Sequence, residues 1–149
     1  MTSLGDCFPE HLKKQFAERK IIPGAVIKIP DNEVGKYKWH IIIGVDQNKV
    51  MIGSVRINTE KNRNVFRTPE LESYLYPIYK ANNPFLDHDS FVDCWTLIEL
   101  PIVSYMQRII DNPNALLGFI RSEDYDVICG LIAQSDNISS NQLKKYNIM

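Results

Sequence analysis

The rhythm of apolar positions changes twice along the chain. In the first segment, Pro9 to Lys20, Leu12 and Phe16 stand four apart, which predicts a short helix with both on one face. Pro9 suits its first turn, and Pro23-Gly24 breaks the pattern. A dense block of β-branched residues follows. Ala25 to Ile29 predicts a short strand. Trp39 to Val45 carries Ile41, Ile42 and Ile43 in succession, which predicts a strand buried on both faces. Asp46-Gln47-Asn48 reads as a turn, and Val50 to Ile57 as the returning strand of a hairpin. Thr59 to Asn64 is polar and reads as a loop. Arg67 to Asn83, with three tyrosines and two prolines, fits either a short helix or a long excursion. Phe85 to Val92 and Trp95 to Leu100 predict two further strands, the second ended by Pro101. Ser104 to Ile110 reads as a short helical turn, and Leu116 to Ile120 as a last strand.

The final third moves to a helical period. Ser122 suits an N-cap, and Glu123 and Asp124 suit the positive end of a helix. Tyr125, Ile128, Cys129 and Ile132 then recur at i, i+3, i+4 and i+7, an amphipathic stripe from Ser122 to Ala133. Ser139 and Gln142 have capping-box spacing, which opens a second helix with Leu143 and Tyr146 on its buried side. Short strands followed by terminal helices predict one α+β domain over residues 1–149, mainly β. Its expected core is a small β-barrel of five to seven strands over about 23–135. An N-terminal helix (about 9–20) and a C-terminal helical tail (about 122–147) flank it.

Composition narrows the class. Hydrophobic residues make up 44% and charged residues 23%, which excludes disordered and fibrous chains. No apolar run reaches membrane-spanning length, and Met1 to Glu10 lacks a signal-peptide pattern, so the expected setting is cytoplasmic, away from membranes. Cys7, Cys94 and Cys129 are odd in number and widely spaced, which predicts free thiols. His11, His40 and His88 lack metal-ligand spacing, and no glycine-rich phosphate loop or nucleophile elbow is present; no metal or cofactor is expected. The net charge of −1 conceals an asymmetry. Residues 36–67 carry Lys36, Lys38, Lys49, Arg56, Lys61, Arg63 and Arg67 against Asp46 and Glu60, a net +5, leaving −6 elsewhere. That segment fits either a positive face for nucleic acid or an ordinary solvated surface.

One stretch carries a resemblance. Phe85-Leu86-Asp87-His88-Asp89-Ser90-Phe91-Val92-Asp93-Cys94, followed by Thr96-Leu97-Ile98-Glu99-Leu100, resembles the late strands of the MazF/PemK family of toxin ribonucleases. Pro23-Gly24-Ala25-Val26-Ile27 is similar to the family's opening strand, Lys38-Trp39-His40-Ile41-Ile42-Ile43 to its next, and Ile57-Asn58-Thr59 to its Ile-Thr strand end. The resemblance runs in order from about Pro23 to Ser135. It implies an SH3-like barrel, a homodimer, and a toxin-type endoribonuclease restrained by a cognate antitoxin, whether protein or RNA. Trp95, Leu97, Ile98 and Leu100 are candidates for the dimer face.

Such enzymes cut single-stranded RNA without a metal, by attack of the ribose 2′-OH on the adjacent phosphorus. The chemistry needs a base, an acid and a cation near the phosphorane. Lys38 takes the position of the family's arginine, and Thr59 that of its threonine. His40 fits an acid/base role by its ordinary pKa, or a barrel-interior histidine. Arg56 offers a guanidinium fork beside Lys38. Asp89 fits an acid/base partner or a turn cap. Lys36, Lys61, Arg63 and Ser90 complete the expected RNA contacts. Tyr37, Trp39 and Phe66 fit base stacking or the core. Lys38-Trp39 replaces the family's Arg-Pro, and Glu60 its serine. These departures motivate an alternative: a barrel that has lost catalysis and only binds RNA or protein.

Overall fold

The computed structural model describes residues 10–59 and 68–148. Pro9, Cys7, Glu60, Lys61, Arg63, Phe66 and Arg67, on which several expectations rest, lie outside the described residues. The elements in chain order are α1 (Glu10–Lys20), β1 (Ala25–Asp31), β2 (Lys36–Val45), β3 (Met51–Asn58), α2 (Pro69–Glu72), β4 (Leu75–Ile78), β5 (Ser90–Asp93), β6 (Ile98–Pro101) and α3 (Ile102–Asp111). A 3-10 turn (Pro113–Ala115), β7 (Leu116–Phe119), α4 (Ser122–Gln134) and α5 (Ser140–Lys145) complete the chain.

The expected hairpin forms the centre. β2 and β3 pair antiparallel with Trp39 opposite Ile57 and Ile41 opposite Val55. At the turn the Asp46 carboxylate accepts the Val50 and Met51 amides at 2.7 and 3.1 Å. The three isoleucines of β2 are buried, alternately on opposite faces. Ile41 and Ile43 join Val26, Val55 and Ile57 in a core completed by Ile128 and Ile132 of α4 and by Leu143 and Tyr146. Ile42 joins Ala25, Ile27, Ile29 and Ile52 in a second core, closed by Ala17 of α1 and by Tyr105 and Ile109 of α3.

All pairings are antiparallel, in the order β4-β5-β3-β2-β1-β7, with β6 also on β3. β5 and β6 share one edge of β3, at Ile57–Asn58 and Met51–Ser54 respectively. The mixed α+β class is thus as expected. The strands do not close into a ring: among the described residues the path ends at β4 and β7. A barrel has one interior, whereas this sheet covers both faces with helices and has two cores.

Several elements differ from the sequence reading. In α1 it is Ala17 that is buried, while Leu12 and Phe16 are each 41% exposed. The small alanine faces α3, where a larger side chain would hold the helices apart. Residues 67–83 resolve, from Thr68 onward, into α2 and β4. The strand expected from Phe85 begins only at Ser90. The backbone before it is diverted into turns, with Leu86 N bonded to the Asn83 carbonyl and Lys80 N to the Asp89 carboxylate at 2.9 Å. Asp93 likewise takes the Trp95 and Thr96 amides and delays β6 to Ile98. The turn expected at Ser104 is a ten-residue helix starting after Pro101. Ser122 is the first residue of α4 rather than its N-cap, which is Arg121. The capping box of Ser139 and Gln142 is present on α5. Cys94 is buried and Cys129 half-buried, both free.

The C-terminal segment closes over the hairpin through two glycines. A Cβ on Gly44 would lie 2.5 Å from the Tyr146 carbonyl oxygen, and one on Gly53 would lie 2.9 Å from the Tyr146 ring. The Tyr146 hydroxyl donates to Glu99 at 2.8 Å, which Gln142 also reaches. Leu97 and Ile98, expected on a dimer face, are buried within the subunit, and Trp95 stands edge-on to Tyr74 at 5.0 Å. No helix among the described residues is long and apolar enough to cross a membrane.

Candidate functional site

The expected site residues divide into two groups. The first lines an open pocket of about 300 Å³ where the start of β2 meets the end of β3 and the turn before β5. Lys36, Tyr37, Lys38 and Trp39 come from β2, Ile57 and Thr59 from the β3 end, and Asp87, His88 and Ser90 from the turn. β2 supplies four successive residues because its first four positions are exposed or half-buried, ahead of its buried portion.

Lys38 is tethered here. Its Nζ donates to the Asn58 side-chain oxygen at 2.7 Å across the β2–β3 ladder. Burial lowers its pKa, and the charges of Lys36 and Arg56 lower it further. An anion in the pocket would relieve that crowding. Thr59 is exposed at the pocket wall. The Ser90 hydroxyl donates to the His88 carbonyl at 3.0 Å and lies 3.3 Å from His88 Nδ1. If the serine proton goes to the carbonyl, Nδ1 carries its own proton toward Ser90 and Nε2 is left as an acceptor. Asp89 is not in this group; its carboxylate caps the turn at Lys80.

The second group is internal. His40 and Arg56 face α3, opposite one another on β2 and β3. His40 is fully buried; its Nε2 lies 3.0 Å from Asp31 Oδ2, and its Nδ1 lies 3.2 Å from both the Tyr105 and Ser54 hydroxyls. Those hydroxyls are 2.8 Å apart. Arg56 Nε donates to Asp31 Oδ2 at 2.5 Å, and its Nη2 to Asp31 Oδ1 at 3.1 Å and Glu33 at 2.8 Å. Burial lowers the His40 pKa and outweighs the pull of Asp31, so the ring is neutral. The neutral ring donates from Nε2 to Asp31 and accepts a hydroxyl proton at Nδ1. Burial pushes the Asp31 carboxyl up, but the bonds from Arg56 and His40 prevail and hold it at about 2. Asp93, buried near Lys38 and Arg56, has its pKa raised by burial.

Chemically, the pocket offers two lysines, the Asp87 carboxylate, the hydroxyls of Thr59 and Ser90, an imidazole and aromatic faces to a ligand. The internal cluster offers a ligand nothing, because its polar atoms are engaged with one another. Of the expected catalytic set, Lys38 and Thr59 come together with Lys36, Tyr37, Trp39 and Ser90, while His40 and Arg56 do not reach them in the pocket. Lys61 and Arg63 lie outside the described residues. Sequence reads His88 as exposed, as it is, but as uninformative, and it does not single out Asp31, Ser54 or Tyr105. The adjacency of His88 to Asp89-Ser90 was the one available signal, since Tyr105 reaches His40 only through the packing of α3. Among the described residues no group of three or more His, Cys, Asp or Glu is placed to hold a metal ion. Compared with models of protein families, curated proteins and solved structures, the chain matches none.

Proposed function

We propose that the chain is a MazF/PemK-like endoribonuclease that cuts single-stranded RNA without a metal and is neutralised by a cognate antitoxin. The observation that carries this reading is the meeting of Lys36, Lys38, Thr59 and His88 in one open pocket beside Tyr37 and Trp39. In this reading the open sheet is a relative of the SH3-like barrel, the protein acts in the cytoplasm as a homodimer, and the RNA lies across the start of β2.

A phosphodiester placed there has Lys38 and Lys36 beside its oxygens. The 2′-OH gives its proton to His88 Nε2 as its oxygen bonds to phosphorus. Lys38 stabilises the phosphorane charge, and Thr59 donates to a phosphate oxygen. The P–O5′ bond then breaks, and the 5′ oxygen takes a proton from water in the open pocket, leaving a 2′,3′-cyclic phosphate and a 5′-hydroxyl. His88 thus takes the acid/base role that sequence offers His40 as one of two readings, and Arg56 stays outside the chemistry.

The test is incubation of the purified protein with cellular RNA in EDTA-containing buffer. Cleavage is expected, with loss in Lys38→Ala and His88→Ala. Intact RNA beside correctly folded wild-type protein overturns the reading. A second reading, a domain that binds RNA or protein without cutting, is favoured by Arg56, whose guanidinium is already held by two carboxylates. Its signature is RNA binding with no product under any of these conditions.

A further inference from the structure

We infer that the RNA path continues beyond the pocket, over Tyr37, onto a second subsite made by Lys28 and Arg108. This rests on the reading of the pocket as an RNA site. Tyr37 is half exposed and belongs to both places: it lines the pocket, and its ring carries the Arg108 guanidinium at 4.8 Å and the Lys28 ammonium at 5.9 Å. The arginine comes from α3 and the lysine from β1, so neither falls within the basic segment 36–67. The packing of α3 on β1 adds them to it.

The guanidinium is positioned. Arg108 Nε donates to the Lys28 carbonyl at 2.9 Å, which fixes the fork and leaves the remaining N–H groups to a ligand. Among the described residues no carboxylate pairs with Lys28, Lys36 or Arg108, whereas Arg56, Arg121 and Lys145 are each paired. Three cations that no carboxylate neutralises among the described residues, Lys28, Lys36 and Arg108, thus stand beside one exposed aromatic residue. A planar cation fixed over a tyrosine presents a surface on which a base stacks, while Lys28 and Lys36 meet the phosphates on either side. Single-stranded RNA has that alternation of flat base and charged phosphate. The surface therefore holds the nucleotides next to the one cleaved.

The experiment measures binding of a random-sequence RNA decamer by fluorescence anisotropy at several salt concentrations. It compares the wild type, Lys28→Ala/Arg108→Ala, Lys36→Ala/Lys38→Ala, and Lys14→Ala/Lys144→Ala, which removes equal charge from exposed positions elsewhere. Arg108→Lys keeps the charge but not the fork, and thermal melts confirm that each variant is folded. Lys28→Ala/Arg108→Ala is expected to weaken binding about tenfold and to flatten the salt dependence by about 0.7 for each phosphate left without its cation. Arg108→Lys should recover the salt dependence but not the full affinity, and Lys14→Ala/Lys144→Ala should bind as wild type. If Lys36→Ala/Lys38→Ala weakens binding while Lys28→Ala/Arg108→Ala does not, the second subsite is wrong and the pocket stands. An equal loss in the Lys14/Lys144 control also overturns the subsite, because only net charge would then matter. A wild-type protein that binds no decamer overturns both readings.

Discussion

At the scale of the residue, the structure separates two histidines: of the two readings open to His40 it takes the interior one, and it places His88 at the pocket. His40 sits next to Lys38 in the alternation of β2 but is enclosed; His88 sits in a turn and faces the pocket. Replacing His40 with alanine leaves the Asp31 carboxylate and two hydroxyls without their shared partner. A loss of about 2–4 kcal/mol is expected in urea denaturation, with the folded fraction still cutting RNA. His88→Ala should reverse that outcome, keeping stability while cleavage falls by roughly 10²–10⁴. An unchanged cleavage rate in His88→Ala would remove it from the chemistry. The same cluster sets a response to acid. Asp31 ionises at about 2 in the fold against 3.8 in a free chain, so its contribution is complete above about pH 4 and lost as pH falls toward 2. It is on the order of 2 kcal/mol. His40 has a folded pKa below 6.5, so its share is complete above that value and lost as pH falls below it. Urea midpoints should therefore decline from pH 7 downward, and a flat profile to pH 3 would contradict the neutral His40. None of this was visible in the chain order: Asp31 and Tyr105 stand 9 and 65 residues from His40, and only the fold of β1 and α3 brings them there.

Elements were readable where local chemistry and tertiary packing agree. β2 declared itself because three isoleucines in a row suit only a strand buried on both faces, and α5 because its capping box is satisfied within four residues. β5 is shorter than its apolar pattern predicts because Asn83, Asp89 and Asp93 bond to nearby backbone amides or carbonyls and compete with the ladder. For α1, period alone marked Leu12 and Phe16, whereas the close approach of α3 selected Ala17. Packing of the C-terminal segment on the hairpin gives a direct test at this scale. Gly53→Ala meets a tyrosine ring and should cost about 1–3 kcal/mol. Gly44→Ala meets backbone and should cost more, since only movement of the chain relieves it. Urea midpoints in the opposite order would mean that Tyr146 does not rest on the hairpin as described.

At the scale of the whole molecule, the described residues form one sheet shared by two cores. The pocket and the ring of Tyr37 lie at the exposed start of β2, where Arg108 of α3 reaches the ring. The α+β class followed from the succession of short strands and terminal helices. The open sheet did not, because periodicity reports that a strand is buried on two faces without reporting whether the second face meets helices or a barrel interior. Leu97 belongs to the α4 core, so Leu97→Ala should lower stability by about 2–5 kcal/mol. It should leave the mass of the folded species unchanged in light scattering. A clean shift from dimer to monomer without loss of stability would return Leu97 to an interface. The run Ile41-Ile42-Ile43 has a further consequence. Moved by one place, it would still offer isoleucine to both cores, so these three residues cannot set their own alignment. The neighbours set it. Moved toward the C-terminus, His40 would enter the apolar slot of Ile41 without a polar partner; moved either way, a branched side chain would replace Gly44 against Tyr146. The strand is a ruler with three identical marks, and its zero is set by a histidine at one end and a glycine at the other.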